Sequence, residues 1–495
     1  MKTVKVRLDG PGGLPMPEKV LKTVYASGLD FEPDERRLQI LPDGTAELTV
    51  SSCPYMINAQ ITVPLYGTLW VMADNRGEGY TGNFVDFVSE AVRTYRTWAA
   101  RFAEGIPLSP TVSGHIKAAE ELEHQANRGN DTPDNRLYAL SHAILAAEGA
   151  LYERSLAKAL VSPQPDMKLG CNFFRYSSDS SLYARYFSKL FNFATLPFYA
   201  SRTVPEKDRY DYSYIDRALS FLSDKGIEAK GHPLFFGHKE VNPSWMFSLS
   251  YQELRHEAEK IAAHHVSAYR DRIFCWDAMN EAHDWANCFE LKQDQLIDLT
   301  RATTNALRES SDKALSVVNV CLPFGEYVAG RYTCYGALPE HLRSPLRYFK
   351  ALLEANIDFD AVGIQLYFPG RDMVAVSRML DAYAALGKPI HITEMGVNGG
   401  FRQKGTEGSS WSQLDMSRGT WHGGWNEHTQ ADWMEQFYTL AAAREEIKAL
   451  TWWDFIEPSF SGNGAFLYED ENPREIYFRL LALKEKIFTA PNVRV

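Results

Sequence analysis

Apolar and polar positions follow a repeated order over the last two thirds of the chain. From about residue 168, short apolar runs are each followed by a polar loop and then by a longer stretch with apolar residues at helical spacing. Eight of these runs predict strands: Lys168–Phe174, Phe191–Thr195, Glu228–Phe236, Phe274–Met279, Ser316–Val320, Ala361–Leu366, Pro389–Thr393 and Ala449–Trp453. Eight strands that alternate with helices are typical of an α/β protein built as a closed (β/α)8 TIM barrel.

The amino-terminal part has a different pattern. Short segments of alternating polarity, such as Thr3–Leu8 and Ala46–Val50, are separated by turn residues. This pattern predicts a β-rich, sandwich-like accessory domain over residues 1–112. Such a domain could bind carbohydrate, or it could only pack against the barrel.

Two helical segments separate this domain from the barrel. His115–Gln125 and Arg136–Leu160 carry apolar residues at helical spacing, with a polar turn between them. They predict a helical connector over residues 113–165, so that the barrel occupies residues 166–495.

Composition and charge argue against several classes of function. The net charge of −11 disfavours a nucleic-acid partner, and no apolar run has the length of a membrane span. The six cysteines show no Cys-x-x-Cys spacing, so free thiols are expected rather than a zinc site. The phosphate-binding and dinucleotide-binding fingerprints are absent, and we predict neither a metal nor an organic cofactor. The amino terminus lacks a signal core, which predicts a cytoplasmic protein, although a secreted chain after removal of its signal peptide would look the same.

Two glutamates carry the candidate chemistry. Glu281 ends the segment Trp-Asp-Ala-Met-Asn-Glu, and Glu394 lies in His-Ile-Thr-Glu-Met-Gly-Val. Each lies at the polar end of an apolar run, where a barrel strand meets its catalytic loop. A glutamate that does not lie at such a strand end would be interpreted as a salt-bridged or helix-capping residue. Two carboxylates on either side of one sugar are what glycoside hydrolysis requires, so the sequence predicts a glycosidase.

These strand-end segments resemble glycoside hydrolase family 10, the endo-1,4-β-xylanase family, over about residues 168–490. The matching motifs occur in the family's order: Gly231–Leu234, Trp276–Ala282, Gln365, Ile392–Met395, Gln430–Trp433, Thr451–Trp453 and Tyr468–Pro473. The resemblance implies a retaining enzyme with Glu281 as acid/base and Glu394 as nucleophile.

The resemblance also implies residues that contact the substrate. Asn280 is expected to bond the sugar's 2-hydroxyl, and Trp453 to form the floor of the catalytic subsite. Tyr367 replaces a family histidine, and its hydroxyl would still donate to Glu394. The complete predicted set is Asn280, His232, Gln365, Tyr367, Trp453 and Trp285, the last on the leaving-group side.

The chain departs from the family in the walls of the sugar-binding subsites. Leu196–Ser201 is apolar and aromatic where the family has a charged segment, and the Gly- and Trp-rich residues 398–430 are predicted to form a wall over the cleft. We therefore expect hydrolysis of a β-1,4-linked, xylan-like polysaccharide, with a β-glucan or another decorated β-glycan as alternatives. A transglycosylase and a non-catalytic glycan-binding protein are further alternatives, and the sequence does not assign an oligomeric state.

Overall fold

The computed structural model describes residues 1–10, 13–35, 38–125, 133–336, 339–400 and 419–489. Two small sheets begin the chain, one with strand order β3-β4-β1-β7 and the other with order β2-β5-β6. Their strands are β1 Lys2–Arg7, β2 Tyr25–Ser27, β3 Leu38–Ile40, β4 Ala46–Val50, β5 Met56–Val63, β6 Gly67–Ala73 and β7 Phe84–Asp86. In β4 every second residue is buried, which is the alternation that its sequence shows. The predicted strand-rich region is thus present.

Four helices accompany these sheets, namely α1 Glu18–Leu21, α2 Phe87–Ala103, α3 Pro110–Gln125 and α4 Pro133–Val161. Helices α3 and α4 correspond to the predicted connector. Helix α2 occupies a range that was predicted to be β-rich, and for this segment the prediction is wrong. Its buried residues Val88, Val92, Tyr95 and Ala99 recur at helical spacing and form one apolar face.

The remaining strands form a closed parallel barrel, as predicted. They are β8 Lys168–Asn172, β9 Phe193–Pro197, β10 Glu228–His232, β11 Ile273–Asn280, β12 Leu315–Val320, β13 Ala361–Tyr367, β14 Ile390–Gly396 and β15 Ile447–Trp452. Every residue of β9 and β14 is buried, because barrel strands are covered by helices outside and by packed side chains inside.

Helices follow the barrel strands on the outside. They are α5 Leu182–Leu190, α6 Ala200–Thr203, α7 Ser213–Asp224, α8 Tyr251–Ala268, α9 Gln293–Ser310, α10 Glu326–Gly330, α11 Pro345–Glu354, α12 Met373–Ala384, α13 Glu427–Ala442 and α14 Glu475–Ile487. The side chain of Ser250 accepts from the backbone N–H of Glu253, and the Glu253 carboxylate caps the start of α8 in return. In the part of the chain that the structure describes, no helix is both long and apolar enough to cross a bilayer.

The first sheets pack directly on the loop that follows β13. Trp70 N–H donates to the carbonyl of Gly370 at 2.6 Å. The buried Arg371 guanidinium donates to the Tyr25 hydroxyl at 2.6 Å, to Asn58 Oδ1 at 3.1 Å and to Glu326 Oε1 at 3.0 Å. A buried charge is tolerated only when it is paired and hydrogen-bonded. These contacts therefore hold the amino-terminal part against the catalytic end of the barrel.

Candidate active site

Glu281 directly follows β11, and the backbone changes direction at this residue. Its φ is +54°, and its N–H donates to the carbonyl of Asn319 at 2.8 Å. This left-handed conformation is uncommon for a residue other than glycine, and such conformations cluster at functional sites. Glu394 lies inside β14 rather than after its end, since this strand continues to Gly396. Both carboxylates are buried, with 6% and 5% of each residue exposed.

Both carboxylate oxygens of Glu394 accept hydrogen bonds. Asn319 Nδ2 donates to Oε1 at 3.1 Å, and the Tyr367 hydroxyl donates to Oε2 at 2.9 Å. His232 Nε2 lies 3.8 Å from Oε1. Donors placed on both oxygens favour the ionised form of a carboxylate, which is the form that a nucleophile requires.

The surroundings of Glu281 differ. Gln365 Nε2 donates to Oε1 at 2.8 Å, and Asn280 Nδ2 lies 3.5 Å from the same oxygen. Asn280 Oδ1 in turn accepts from Asn319 Nδ2 at 2.6 Å. Since Asn319 also donates to Glu394, one amide network connects the two glutamates across the four consecutive strands β11 to β14.

Burial dominates the electrostatics of the pair. Burial raises the pKa of Glu281 to about 7. Hydrogen bonds from Gln365, Cys321 and Asn280 lower this pKa, but burial has the larger effect. Burial likewise raises the pKa of Glu394 to about 7, and His232 lowers it whereas the charge of Glu281 raises it. Both carboxyls therefore gain or lose their protons near neutral pH rather than at the acidic pH of a free glutamate. One protonated and one ionised carboxyl is the state that a retaining glycosidase needs.

A buried charge cluster orients His232. Its Nδ1 lies 2.6 Å from Asp277 Oδ2, and Lys230 Nζ lies 2.8 Å from the same oxygen. Burial alone would raise the pKa of Asp277, but Lys230 and His232 outweigh burial and lower it. An ionised Asp277 accepts a hydrogen bond from Nδ1–H, so Nε2 of His232 faces Glu394.

Aromatic side chains surround His232 on the side of Glu394. The Trp453 ring lies 5.3 Å from the His232 ring and 5.4 Å from that of Phe174, and the Tyr199 ring lies 5.4 Å from that of His232. Phe174, Tyr199 and Trp453 are each partly exposed. Partly exposed aromatic faces beside a catalytic pair offer surfaces on which a sugar ring can stack.

Five of the six predicted binding residues thus lie around the glutamates: Asn280, His232, Gln365, Tyr367 and Trp453. Trp285 lies elsewhere, in a buried cluster where its ring is 5.6 Å from Tyr327 and 5.9 Å from Tyr332. Only 4% of it is exposed. Packing accounts for its position, and its contact with substrate stays a prediction.

The predicted wall over residues 398–430 is described only in part, because residues 401–418 lie outside the described residues. Trp421 is fully buried, and its Nε1 donates to Glu148 of α4 at 3.3 Å. Trp425 packs on Phe368, with the ring centroids 4.7 Å apart. These two tryptophans therefore contact the connector and the β13 loop.

The sequence interpretation missed Asn319, Cys321 and Tyr199. Asn319 left one signal, because it is a polar residue inside the otherwise apolar end of β12. Residues inside a parallel barrel strand are usually apolar, so an asparagine there indicates a specific hydrogen-bonding task. The sequence contains no such signal for Cys321 and Tyr199, since a cysteine or a tyrosine in a buried segment usually serves only for packing.

No group of three or more His, Cys, Asp or Glu side chains that could hold a metal ion occurs among the described residues. The carboxylates at the site are instead held by amides, a phenol and a histidine.

Comparison with known proteins identifies the barrel. The family model for glycosyl hydrolase family 10 matches residues 179–481, which is more than half of the chain. Endo-1,4-beta-xylanase A of Caldicellulosiruptor saccharolyticus is 26% identical over 215 residues, and endo-1,4-beta-xylanase B of Thermotoga neapolitana is 24% identical over 296 residues. These matches cover 39% and 57% of this chain. They span 56% of the first relative, about half of its length, and 77% of the second.

The fold agrees with this assignment. The crystal structure of native xylanase 10B from Thermotoga maritima superposes with a TM-score of 0.51 at 20% identity, covering 67% of this chain and 97% of that one. The family match over residues 179–481, with both glutamates at the catalytic end of the barrel, leads to one conclusion. This chain belongs to glycosyl hydrolase family 10.

Proposed function

We propose that this protein is a retaining glycoside hydrolase that cleaves a β-1,4-linked, xylan-type polysaccharide. The observation that carries the proposal is the pair of buried glutamates, Glu281 and Glu394, joined by the amides of Asn280 and Asn319. Burial raises the pKa of both carboxyls to about 7, so one protonated and one ionised carboxyl is accessible near neutral pH. Family membership supports the reaction class, since this family's enzymes use two carboxylates in a double displacement.

In the first step the ionised Glu394 attacks the anomeric carbon, and Glu281 gives its proton to the departing glycosidic oxygen. The products of this step are an ester between the sugar and Glu394, and a free leaving group with a new hydroxyl. Tyr367 and Asn319 hold the Glu394 oxygens in place for this attack.

In the second step Glu281, now ionised, removes a proton from a water molecule that attacks the same carbon. The bond to Glu394 breaks, Glu394 recovers its negative charge, and Glu281 recovers its proton. Asn280 is placed beside both glutamates, where its amide can bond the sugar's 2-hydroxyl.

The xylan-type substrate is supported by the names of relatives that match at 22–26% identity, which include endo-1,4-beta-xylanase in each case and feruloyl esterase in one. At the end of β9, where the family has a charged segment, this chain has the buried apolar residues Leu196 and Phe198. Other β-1,4-linked glycans are therefore included in the test.

The test is reducing-sugar release from plain and decorated xylans, β-glucans and mannans, with wild-type protein beside Glu281→Ala and Glu394→Ala. We expect release from a xylan that is lost in both variants, and the β-anomer of the first product by NMR, as retention requires. Release that persists in Glu394→Ala, or an α-anomeric first product, would contradict the mechanism. Binding of xylan without any cleavage would identify a glycan-binding protein instead.

A further inference from the structure

One acidic side chain at the catalytic end of the barrel has no part in the two reaction steps. Asp454 directly follows Trp453, just after the end of β15, and it is partly exposed. Phe460 N–H donates to Asp454 Oδ2 at 2.6 Å, and Asn172 Nδ2, at the end of β8, lies 3.5 Å from Asp454 Oδ1. An ionised carboxylate offers about four acceptor positions, so this group can accept from further donors.

Contacts connect Asp454 to Glu394, the proposed nucleophile. The ring of Phe460, whose N–H binds Asp454, packs 4.8 Å from the ring of Tyr367. The Tyr367 hydroxyl in turn donates to Glu394 Oε2 at 2.9 Å. Two aromatic residues therefore separate Asp454 from Glu394, which places Asp454 beside the position of the reacting sugar rather than at it.

The barrel order indicates which end of the substrate passes over Asp454. The strands follow one another as β10-β11-β12-β13-β14-β15-β8-β9 in a closed ring. Strand β15 is four places from β11 in either direction, so the two strands lie opposite each other across the barrel. Glu281, which follows β11, gives its proton to the leaving group. The leaving group therefore lies on the β11 side, and the sugar unit on the non-reducing side of the reacting ring extends toward β15 and β8.

The ends of β15 and β8 offer aromatic surface as well as polar groups. The rings of Trp453 and Phe174 lie 5.4 Å apart, and both side chains are partly exposed. Exposed aromatic faces of this kind can stack on a sugar ring. Asp454 and Asn172 are their neighbours along the chain, one and two residues away. The next strand around the barrel, β9, is apolar and buried at Leu196. Polar side chains for this sugar unit are therefore supplied by β15 and β8 rather than by β9.

The surroundings of Asp454 favour a hydrogen bond from a hydroxyl. Burial raises the pKa of Asp454 to about 6, although the Phe460 N–H and the Asn172 amide lower it. A carboxylate that has lost much of its hydration interacts more strongly with a donor than one in bulk water does. A sugar hydroxyl can restore part of the hydrogen bonding that burial has removed.

We propose that Asp454 is a specificity-determining residue, whose carboxylate accepts a hydrogen bond from a hydroxyl of the sugar unit on the non-reducing side of the reacting ring, with Asn172 as a second polar contact. This inference rests on the proposed function. It assigns to this side of the cleft the recognition of an unsubstituted sugar hydroxyl. An ester or a branching sugar on that hydroxyl removes the donor, so a chain that is decorated at this unit is bound less well.

The test compares two chromogenic substrates, an aryl β-xyloside and the aryl β-xylobioside, which differ only by that second sugar unit. Asp454→Ala should lower the ratio of kcat/KM for the xylobioside to kcat/KM for the xyloside by about 10–100-fold, the loss expected when a hydrogen bond to a charged group is removed. An unchanged ratio in folded Asp454→Ala would overturn the inference, because a purely structural role of Asp454 would affect both substrates equally.

Asp470→Ala is the matched control. Asp470 also follows β15, and its Oδ1 likewise accepts a backbone N–H, from Asn472 at 3.1 Å, but the residue is exposed. This variant should keep the wild-type ratio. A ratio that falls equally in Asp470→Ala would show that the segment after β15 matters as a whole, and the role assigned to the Asp454 carboxylate would be wrong.

Substrate variants test the same contact without changing the protein. Deoxy derivatives of the aryl β-xylobioside each lack one hydroxyl of the non-reducing unit. Wild-type kcat/KM should fall by about 10–100-fold for one of them, and the same derivative should lose little more in Asp454→Ala, because donor and acceptor form one contact. If the wild-type protein hydrolyses every derivative as well as the parent compound, the inference is wrong, and this result does not require Asp454→Ala to fold.

The two proposals fail in different ways. If neither aryl glycoside nor any xylan is hydrolysed, the proposed function is wrong and this inference fails with it. If both aryl glycosides are hydrolysed and their ratio does not depend on Asp454, only the role of Asp454 is wrong.

Discussion

The hydrogen bond from Tyr367 to Glu394, the proposed nucleophile, is the most direct place to test the site electrostatics. The hydroxyl donates to Glu394 Oε2 at 2.9 Å, and the other carboxylate oxygen accepts from Asn319. Tyr367→Phe removes this donor and retains the ring that packs 4.8 Å from Phe460. The ionised form of Glu394 then loses one of its two close donors.

The expected change in the pKa of Glu394 follows from the energy of a hydrogen bond to a charged group, about 1.5–3 kcal/mol. One pKa unit corresponds to about 1.4 kcal/mol, so the pKa of Glu394 should rise by about 1–2 units. Because only ionised Glu394 attacks, the acidic limb of kcat/KM should move upward by the same amount. At a pH well below that limb, kcat/KM should fall by about 10–100-fold, with a smaller loss on the plateau.

The assay is kcat/KM for an aryl β-xyloside between pH 4 and pH 9, which reports ionisations of the free enzyme. Tyr383→Phe is the matched control, since it removes a buried hydroxyl that donates to the carbonyl of Pro323 at 2.9 Å. An acidic limb that stays in place in Tyr367→Phe, or that moves equally in Tyr383→Phe, would refute the reasoning.

Three further predictions concern stability and leaving groups. Burial raises the folded-state pKa of Glu281 to about 7, above the unfolded value of about 4.3, so stability is lost as the pH rises through this window. Glu281→Gln should therefore raise the free energy of unfolding at pH 8 by on the order of 2–4 kcal/mol and have little effect at pH 4, measured by urea unfolding; an equal gain at both values would contradict the assignment. Glu281→Ala should lower turnover of xylan by about 10²–10⁴-fold but retain an initial burst with dinitrophenyl β-xyloside, whose leaving group needs no proton; a loss that is independent of the leaving group would argue against an acid role. Arg371→Met should lower the free energy of unfolding by about 3–5 kcal/mol, because it leaves Glu326 without its buried partner. The exposed pair of Arg209 with Glu206 offers a control, Arg209→Met, expected to cost less than about 1 kcal/mol; similar losses in both variants would show that the buried pair has no special weight.

The barrel could be predicted from the sequence because its strands are buried on both faces and each is followed by a helix. All eight predicted strands are present, although β9 begins at Phe193 rather than Phe191 and β14 extends past Thr393 to Gly396. The helix at Phe87–Ala103 was missed although its apolar residues recur at helical spacing, because it directly follows the short strand Phe84–Asp86 with no glycine or proline between them. Strand boundaries depend on hydrogen bonds to a neighbouring strand, and these pairings are not visible in a local pattern.

By itself, the sequence determined the barrel, the amino-terminal strands and the placement of Glu281 and Glu394 at the same end of the barrel strands. These features follow from local periodicity and from the rule that parallel strands end on the same face. Only the tertiary structure decided which residues meet there. Asn319 contacts a glutamate 75 residues away, and Tyr335 contacts the Lys239 backbone 96 residues away. Trp285 is a case in which the sequence suggested a contact that the structure does not show. The sequence predicts a sugar contact for this residue, whereas the fold packs its ring in a buried cluster. Aromatic side chains serve packing and sugar binding equally well, so only the positions of distant neighbours separate the two roles.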